Sequence, residues 1–168
     1  MSLLTDELKA RVGTTVTYTA PEPWGAASGR YFAYAIGDFN PIYLDPDRAR
    51  ALGLPDVTIP PTLVLESAQY ANLPIREDGY AGHLWGFDVP GTRLVRGGNS
   101  YRFYRRMRPD DVVTVSFTLK SITPKVNREG KEMLIFATLI RVTDQHGKPI
   151  AEADETFILV ALGEEEAK

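Results

Sequence analysis

Val112–Leu119 (VVTVSFTL) and Met133–Thr143 (MLIFATLIRVT) decide the fold class. In the first, Val113, Val115, Phe117 and Leu119 alternate with Thr114, Ser116 and Thr118, so one face of a strand is apolar and the other wetter. The second is apolar on both faces, the pattern of a strand with neighbours on either side. Asn127–Gly130 joins the two as a hairpin loop, and Asp144–Gly147 (DQHG) joins the second to a last run, Glu155–Leu162, which is continuously apolar from Phe157. Thr14–Thr19 and Arg93–Met107 have the same strand chemistry. The part of the chain after about residue 92 therefore predicts an antiparallel sheet, with five or six strands in all.

Upstream, helix signals and prolines dominate. Ser28–Asp38 (SGRYFAYAIGD) reads as a short helix, with Ser28 as N-cap and Tyr31, Ala35 and Ile36 on one face. Asn40-Pro41 ends it, because a residue before proline is pushed out of the α region. Asp45–Leu52 is a second short helix, capped by Asp45, opened by Pro46 and stopped by Gly53. Thr62–Asn72 (TLVLESAQYAN) is the main helix: two prolines precede it, and Leu63, Val64, Ser67, Ala68 and Ala71 share one face. Gly79–Gly91 is the one long irregular segment. A helix followed by a long antiparallel sheet that must cover it is an α+β layout. A sheet wrapped round a single central helix is the hotdog arrangement, whose sheets usually pair edge to edge, so a dimer is expected.

Composition narrows the chemistry. At 168 residues the chain suits one domain, taken as 1–168, with enough apolar residues to bury a core. No cysteine is present, which excludes disulfides, thiolate metal sites and a Cys nucleophile, and His83 and His146 are the only histidines. No metal site is expected. The net charge of −3 argues against bulk nucleic-acid binding. No run approaches the ~20 apolar residues of a membrane span, and Met1–Arg11 lacks the basic flank and apolar run of a secretory signal. The expectation is a cytoplasmic protein with neither membrane nor nucleic acid as partner.

The densest chemical signal is Gly37–Pro46 (GDFNPIYLDP), continued by Ala49, Gly53 and Pro60-Pro61-Thr62. It resembles the active-site segment of the MaoC-like hydratase/dehydratase family, in which D-x-N-P-x-H follows a short helix. The resemblance spans about residues 28–162. It implies a hotdog fold and the addition of water to an enoyl thioester. In that reaction the Asp and His hold the water, and backbone N–H groups at the start of the central helix meet the enolate oxygen. Two positions depart from the pattern. Asp38 keeps the carboxylate, but Tyr43 stands where catalytic members carry His, and a phenol with a pKa of about 10 is a poor proton shuttle near neutrality. Pro60-Pro61 replaces His-Gly, removing two N–H donors and leaving Thr62 as the first able to offer one.

Within the family these departures mark the N-terminal, non-catalytic-type half of fused or paired hotdogs. The resemblance thus implies an acyl-CoA or acyl-carrier-protein hydratase/dehydratase subunit that acts as a homodimer or with a catalytic MaoC-like chain. Its only cofactor-like group is the coenzyme A or pantetheine moiety of the substrate. Two other classes stay open: a non-catalytic acyl-CoA-binding scaffold, and a hotdog thioesterase in which Asp38 acts on the thioester carbonyl.

Asp38 and Asn40 also suit simple turn chemistry, and Tyr43 a packed aromatic. Gly97-Gly98 interrupts a strand and reads as a β-bulge, or as close backbone approach to a ligand; Gly98, Asn99 and Ser100 are candidates to bind the thioester or pantetheine amide. Arg102, Tyr104, Arg106 and Arg108 alternate with Phe103, Arg105 and Met107, which predicts a solvated strand face, with a coenzyme A phosphate site as the second reading. His83 could replace the missing imidazole; His146 falls in a hairpin turn. No nucleotide-loop, serine-hydrolase or metal spacing is present.

Overall fold

The computed structural model describes residues 2–64 and 89–163. Five strands, β1 (Thr15–Thr19), β2 (Thr92–Phe103), β3 (Thr114–Val126), β4 (Glu132–Thr143) and β5 (Pro149–Ala161), form one sheet in the order β1-β3-β4-β5-β2. Every neighbouring pair is antiparallel. β4, apolar on both faces, is the central strand, as its sequence predicts. The two hairpin loops fall where expected: Asn127 Oδ1 accepts from the backbone N–H groups of Glu129 and Lys131, and Asp144 Oδ1 does the same for His146 and Lys148.

Alternation along the strands assigns the faces. Val115, Phe117, Leu119, Leu134, Phe136 and Leu159 point to one side and are buried together with Ile59, Leu63, Val64 and Met107. Leu119 and Phe136 are wholly buried, each contributing about 1.5–3 kcal/mol of transfer free energy. Phe136 stacks on Phe157 across β4 and β5 with ring centroids 4.6 Å apart. On the other face, β1 and β3 pair hydroxyl to hydroxyl: Thr15 with Thr118, Thr17 with Ser116 and Thr19 with Thr114, at 2.9–3.1 Å. That is why Thr and Ser fill the wetter positions of the deciding stretch.

Gly97-Gly98 is a bulge, with the β2–β5 register shifting between Arg96 and Gly98. A Cβ at Gly97 would meet Thr156 Cγ2 at 2.8 Å and the Thr156 backbone oxygen at 3.0 Å. Backbone cannot step aside as a side chain can. Gly97→Val should therefore cost about 1–3 kcal/mol, as overpacking does, lowering the urea midpoint; an unchanged midpoint would show that β5 yields without penalty.

Among the described residues, four short helices precede β2: α1 (Asp6–Ala10), α2 (Gly25–Ala35), α3 (Pro41–Leu44) and α4 (Pro46–Ala51). α4 follows the sequence reading, with Asp45 Oδ1 capping the N–H groups of Asp47 and Arg48 and Gly53 at φ +82° ending the turn. α2 differs from the predicted Ser28–Asp38. It begins at Gly25, whose N–H donates to Pro109 O (2.8 Å), so tertiary anchoring rather than a Ser28 cap starts it. It ends early because Gly37 takes φ +70°, with Gly37 N–H on Tyr34 O and Asp38 N–H on Ala33 O. α1, capped by Thr5, was not anticipated. Residues 61–64 form a single 3₁₀ turn, and the rest of the predicted Thr62–Asn72 helix lies outside the described residues, as does His83.

The predicted Arg93–Met107 strand stops at Phe103. The chain then turns, and Met107 returns as an isolated antiparallel bridge to Ile59. The alternating arginine face therefore does not form. Arg102 stays in β2, while Arg105, Arg106 and Arg108 sit in the loop after it, which builds the site described next. Among the described residues no helix is long and apolar enough to cross a membrane.

Candidate active site

Three segments meet at one junction. α3 contributes Ile42, whose carbonyl accepts from Thr58 N–H (2.9 Å); Ile59, the next residue, donates its N–H to Met107 O (2.9 Å) across their bridge. These two ties bring Tyr43, Thr58 and Arg106 together, each adjacent to a tied residue. Gly29 of α2 lies against Ile59, close enough that a Cβ there would meet Ile59 Cδ1 at 2.5 Å, which seats the helix leading to Asp38 on the same junction.

Asp38 follows directly from the glycine turn closing α2. Its Oδ1 accepts from Asn40 N–H (3.2 Å), and Asn40 Oδ1 in turn accepts from Ile42 N–H (3.2 Å), capping α3. Turn chemistry is thus real at both residues, and one oxygen of the Asp38 carboxylate remains beyond it. Tyr43 is 7% exposed. Burial pushes its phenol above the usual value, the negative charge of Asp38 pushes it further, and Arg106, placed to hydrogen-bond it, opposes them without reversing the shift. Tyr43 is therefore a neutral phenol at physiological pH. Arg106 can only donate, so it engages the phenolic oxygen and leaves the hydroxyl proton free to be given elsewhere.

Arg105 fixes the loop that presents Arg106. Its guanidinium takes Asp111 with both nitrogens (2.7 and 2.8 Å) and Asp144 at 2.9 Å, and both carboxylates are buried. Asp111 also accepts from Arg108 N–H, and its carbonyl accepts from Trp24 N–H at the start of α2. Burial works against the charge of Asp144. The backbone N–H groups of Lys148 and His146, then Arg105, outweigh it and hold its carboxyl below the ordinary value. His146 contributes backbone only to this turn among the hydrogen bonds described.

Of the residues singled out from sequence, Asp38, Asn40 and Tyr43 come together through α3, and Pro60, fully buried, continues the Thr58–Ile59 segment into the exposed Pro61 and Thr62. Gly98, Asn99 and Ser100 lie apart, within β2. Asn99 faces the core side opposite Glu155 and its amide bonds the Tyr101 hydroxyl, whereas Ser100 faces outward opposite Asp154. Arg106 and Thr58 are the residues that sequence reasoning missed. Arg106 was visible only as part of a basic cluster, and Thr58 carried no signal. Among the described residues no group of three or more His, Cys, Asp or Glu could hold a metal ion.

Residues 11–153 match the family described as FAS1-like, dehydratase domain region. A UPF0336 protein of Streptomyces coelicolor is 37% identical over 111 residues, covering 66% of this chain and 70% of that one. A probable enoyl-CoA hydratase alpha subunit of Thermomonospora curvata is 30% identical over 152 residues, 86% of this chain and 48% of that one. Among solved structures, the ChsH1–ChsH2 complex of Mycobacterium tuberculosis superposes with a TM-score of 0.71 at 20% identity, covering 95% of each chain. The chain therefore belongs to the family described as FAS1-like, dehydratase domain region, with the fold of the MaoC-like dehydratase structures.

Proposed function

We propose that this chain is the non-catalytic-type subunit of an acyl-thioester hydratase/dehydratase, binding part of an acyl-CoA or acyl-carrier-protein substrate beside a catalytic MaoC-like partner. The observation that carries the reading is Tyr43. A buried phenol whose proton is held more tightly than usual, with Arg106 on its oxygen, does not exchange protons with water near neutrality as the family's imidazole does. Pro60 and Pro61 reinforce it, since neither offers an N–H to an enolate oxygen. Asp38 and Tyr43 then shape a pocket wall and donate or accept hydrogen bonds without moving protons in the reaction. Asn40, Thr62, Gly98, Asn99 and Ser100 are the remaining candidates for substrate contact.

A partner is supported by what is left open. β2 ends the sheet order, so among the described residues one of its edges has no neighbouring strand. Near Asp38, Tyr31 (68% exposed), Tyr34, Ile36 and Phe39 (65%) are exposed, and the Tyr34 and Phe39 rings lie 6.0 Å apart. The related Thermomonospora chain is named an alpha subunit, which fits a divided enzyme.

The test is hydration of a short enoyl-CoA by the purified chain, followed by loss of the conjugated thioester absorbance. The expected result is a rate no higher than that of Asp38→Asn, from a folded protein. Turnover that disappears in Asp38→Asn would overturn the reading and make Asp38 with Tyr43 a working acid/base pair.

A further inference from the structure

β1 and β2 are the two edges of the sheet, and they differ. β1 has 5 residues and no charge; β2 has 12, about 40 Å of strand. Among the described residues, no backbone hydrogen bond ties Thr92–Phe103 to anything but β5. Native edges are commonly guarded by being short, bulged or charged. β2 has the bulge and the charge, yet it is long and leaves Leu94 63% and Phe103 42% exposed, with the Phe103 ring stacked on Tyr101. Apolar side chains exposed at both ends of a long unpaired strand suit an edge that takes a partner strand.

Its charges decide which partner. β2 carries Arg93, Arg96 and Arg102 and no carboxylate. Arg96 meets Glu155 at 3.3 Å. Glu152, opposite Arg102 on β5, is held by Arg141 at 3.0 Å. Among the described residues neither Arg93 nor Arg102 has a carboxylate partner. Through β5, Arg93 lies in line with Met133 of β4 and Arg102 with Arg141, an even number of residues apart, so both arginines share one face. Pairing β2 antiparallel with its own copy over its full length sets Thr92 against Phe103, and therefore Arg93 against Arg102, twice across the two-fold axis. Slipping the register by two residues either way leaves the same arginines diagonal to each other, and slipping by one puts the faces out of step. Like charges so placed oppose pairing. Building on the subunit reading above, we infer that the β2 edge rejects a second copy of this chain and takes the edge strand of a different chain, one with carboxylates opposite Arg93 and Arg102.

Arg93→Glu/Arg102→Glu keeps the edge and reverses its sign, so this variant serves as the acidic strand in the test. Sedimentation velocity of the wild type, of the variant and of their equimolar mixture is compared at low and high salt. The mixture should associate one to one, about tenfold or more tightly than either protein alone, because both cross-strand arginine contacts become ion pairs. Raising salt should weaken the mixed dimer and ease self-association, the opposite signs expected of attraction and repulsion. Arg93→Glu alone makes the edge complementary to its own copy, and should self-associate about tenfold or more tightly than the wild type. Its neighbour across β5 is Val160, so it also supplies the test if Arg102→Glu unfolds the chain beside Glu152. Arg128→Glu, on the exposed β3–β4 loop, should change nothing. A wild type that self-associates as tightly as the mixture, folded proteins that fail to associate when mixed, or affinities indifferent to salt or to Arg93→Glu would overturn the assignment. Enoyl-CoA hydration tells its failure from that of the subunit reading. An inactive wild type that pairs with its own copy through β2 sinks only the edge assignment; turnover lost in Asp38→Asn, by a chain that rejects its copy, sinks only the subunit reading.

Discussion

Arg105→Met is expected to be the most destabilising single change in the site region, lowering stability by about 3 kcal/mol, the lower end for removing one partner of a buried ion pair. For a domain of this size that is a fall in Tm of roughly 6–12 °C. The reason is what stays behind. Asp111 and Asp144 are 5% and 7% exposed at their side chains, and Arg105 is the cation that both contact. Neutralising the carboxylates as well, in Arg105→Met/Asp111→Asn/Asp144→Asn, should recover part of the loss, because the amides still accept the backbone N–H groups of Arg108, His146 and Lys148. The pH dependence has a definite sign. Asp144 binds its proton less tightly when folded than its ordinary value near 3.8, so its contribution is complete above that value and is lost as pH falls through the lower folded value. Wild-type Tm should therefore drop on acidification below about pH 4, and Arg105→Met should flatten that drop without abolishing it, since the backbone donors to Asp144 remain. A folded Arg105→Met with unchanged Tm would mean that water reaches both carboxylates.

The sheet was legible because it rests on a period of two sustained over long runs, with Asn127 and Asp144 each opening a hairpin loop. The short helices were legible where a side chain caps them, as Asp45 does for α4, and misplaced where the fold supplies the anchor, as Pro109 and Asp111 do for α2. The D-x-N-P turn could be read because its hydrogen bonds are local, each spanning two residues. Arg105 and Arg106 could not be read the same way. Alternation predicts a strand through them, but two buried carboxylates, six and thirty-nine residues away, pull Arg105 out of the ladder and turn Arg106 toward Tyr43. Such long-range charge pairing leaves no periodic trace. Thr58 is harder still, since its singularity is the lack of a partner.

If the subunit reading is right, the two departures from the catalytic pattern should be repairable, and in order. Tyr43→His puts an imidazole beside Asp38, and should raise enoyl-CoA hydration by about a hundredfold over the wild-type chain, the lower end for a positioned general acid or base. Adding Pro61→Gly returns an N–H where the enolate oxygen forms, and should give about a further hundredfold, as one oxyanion donor typically does. Both gains should vanish with Asp38→Asn. Arg106 predicts a further signature. Its charge, close enough to oppose the shift of Tyr43, will favour the neutral imidazole and hold its pKa down. Asp38 pulls the other way, as it does on Tyr43, so the signature of Arg106 is a difference: the acid limb of the rate profile should move up when Arg106→Gln is added. A folded Tyr43→His/Pro61→Gly protein with no gain would show that Tyr43 does not stand where the family's histidine works. A gain in Tyr43→His alone, unaffected by Arg106→Gln, would show that the new imidazole has turned away from the arginine, and with it the pocket wall that Arg106 and Tyr43 now share.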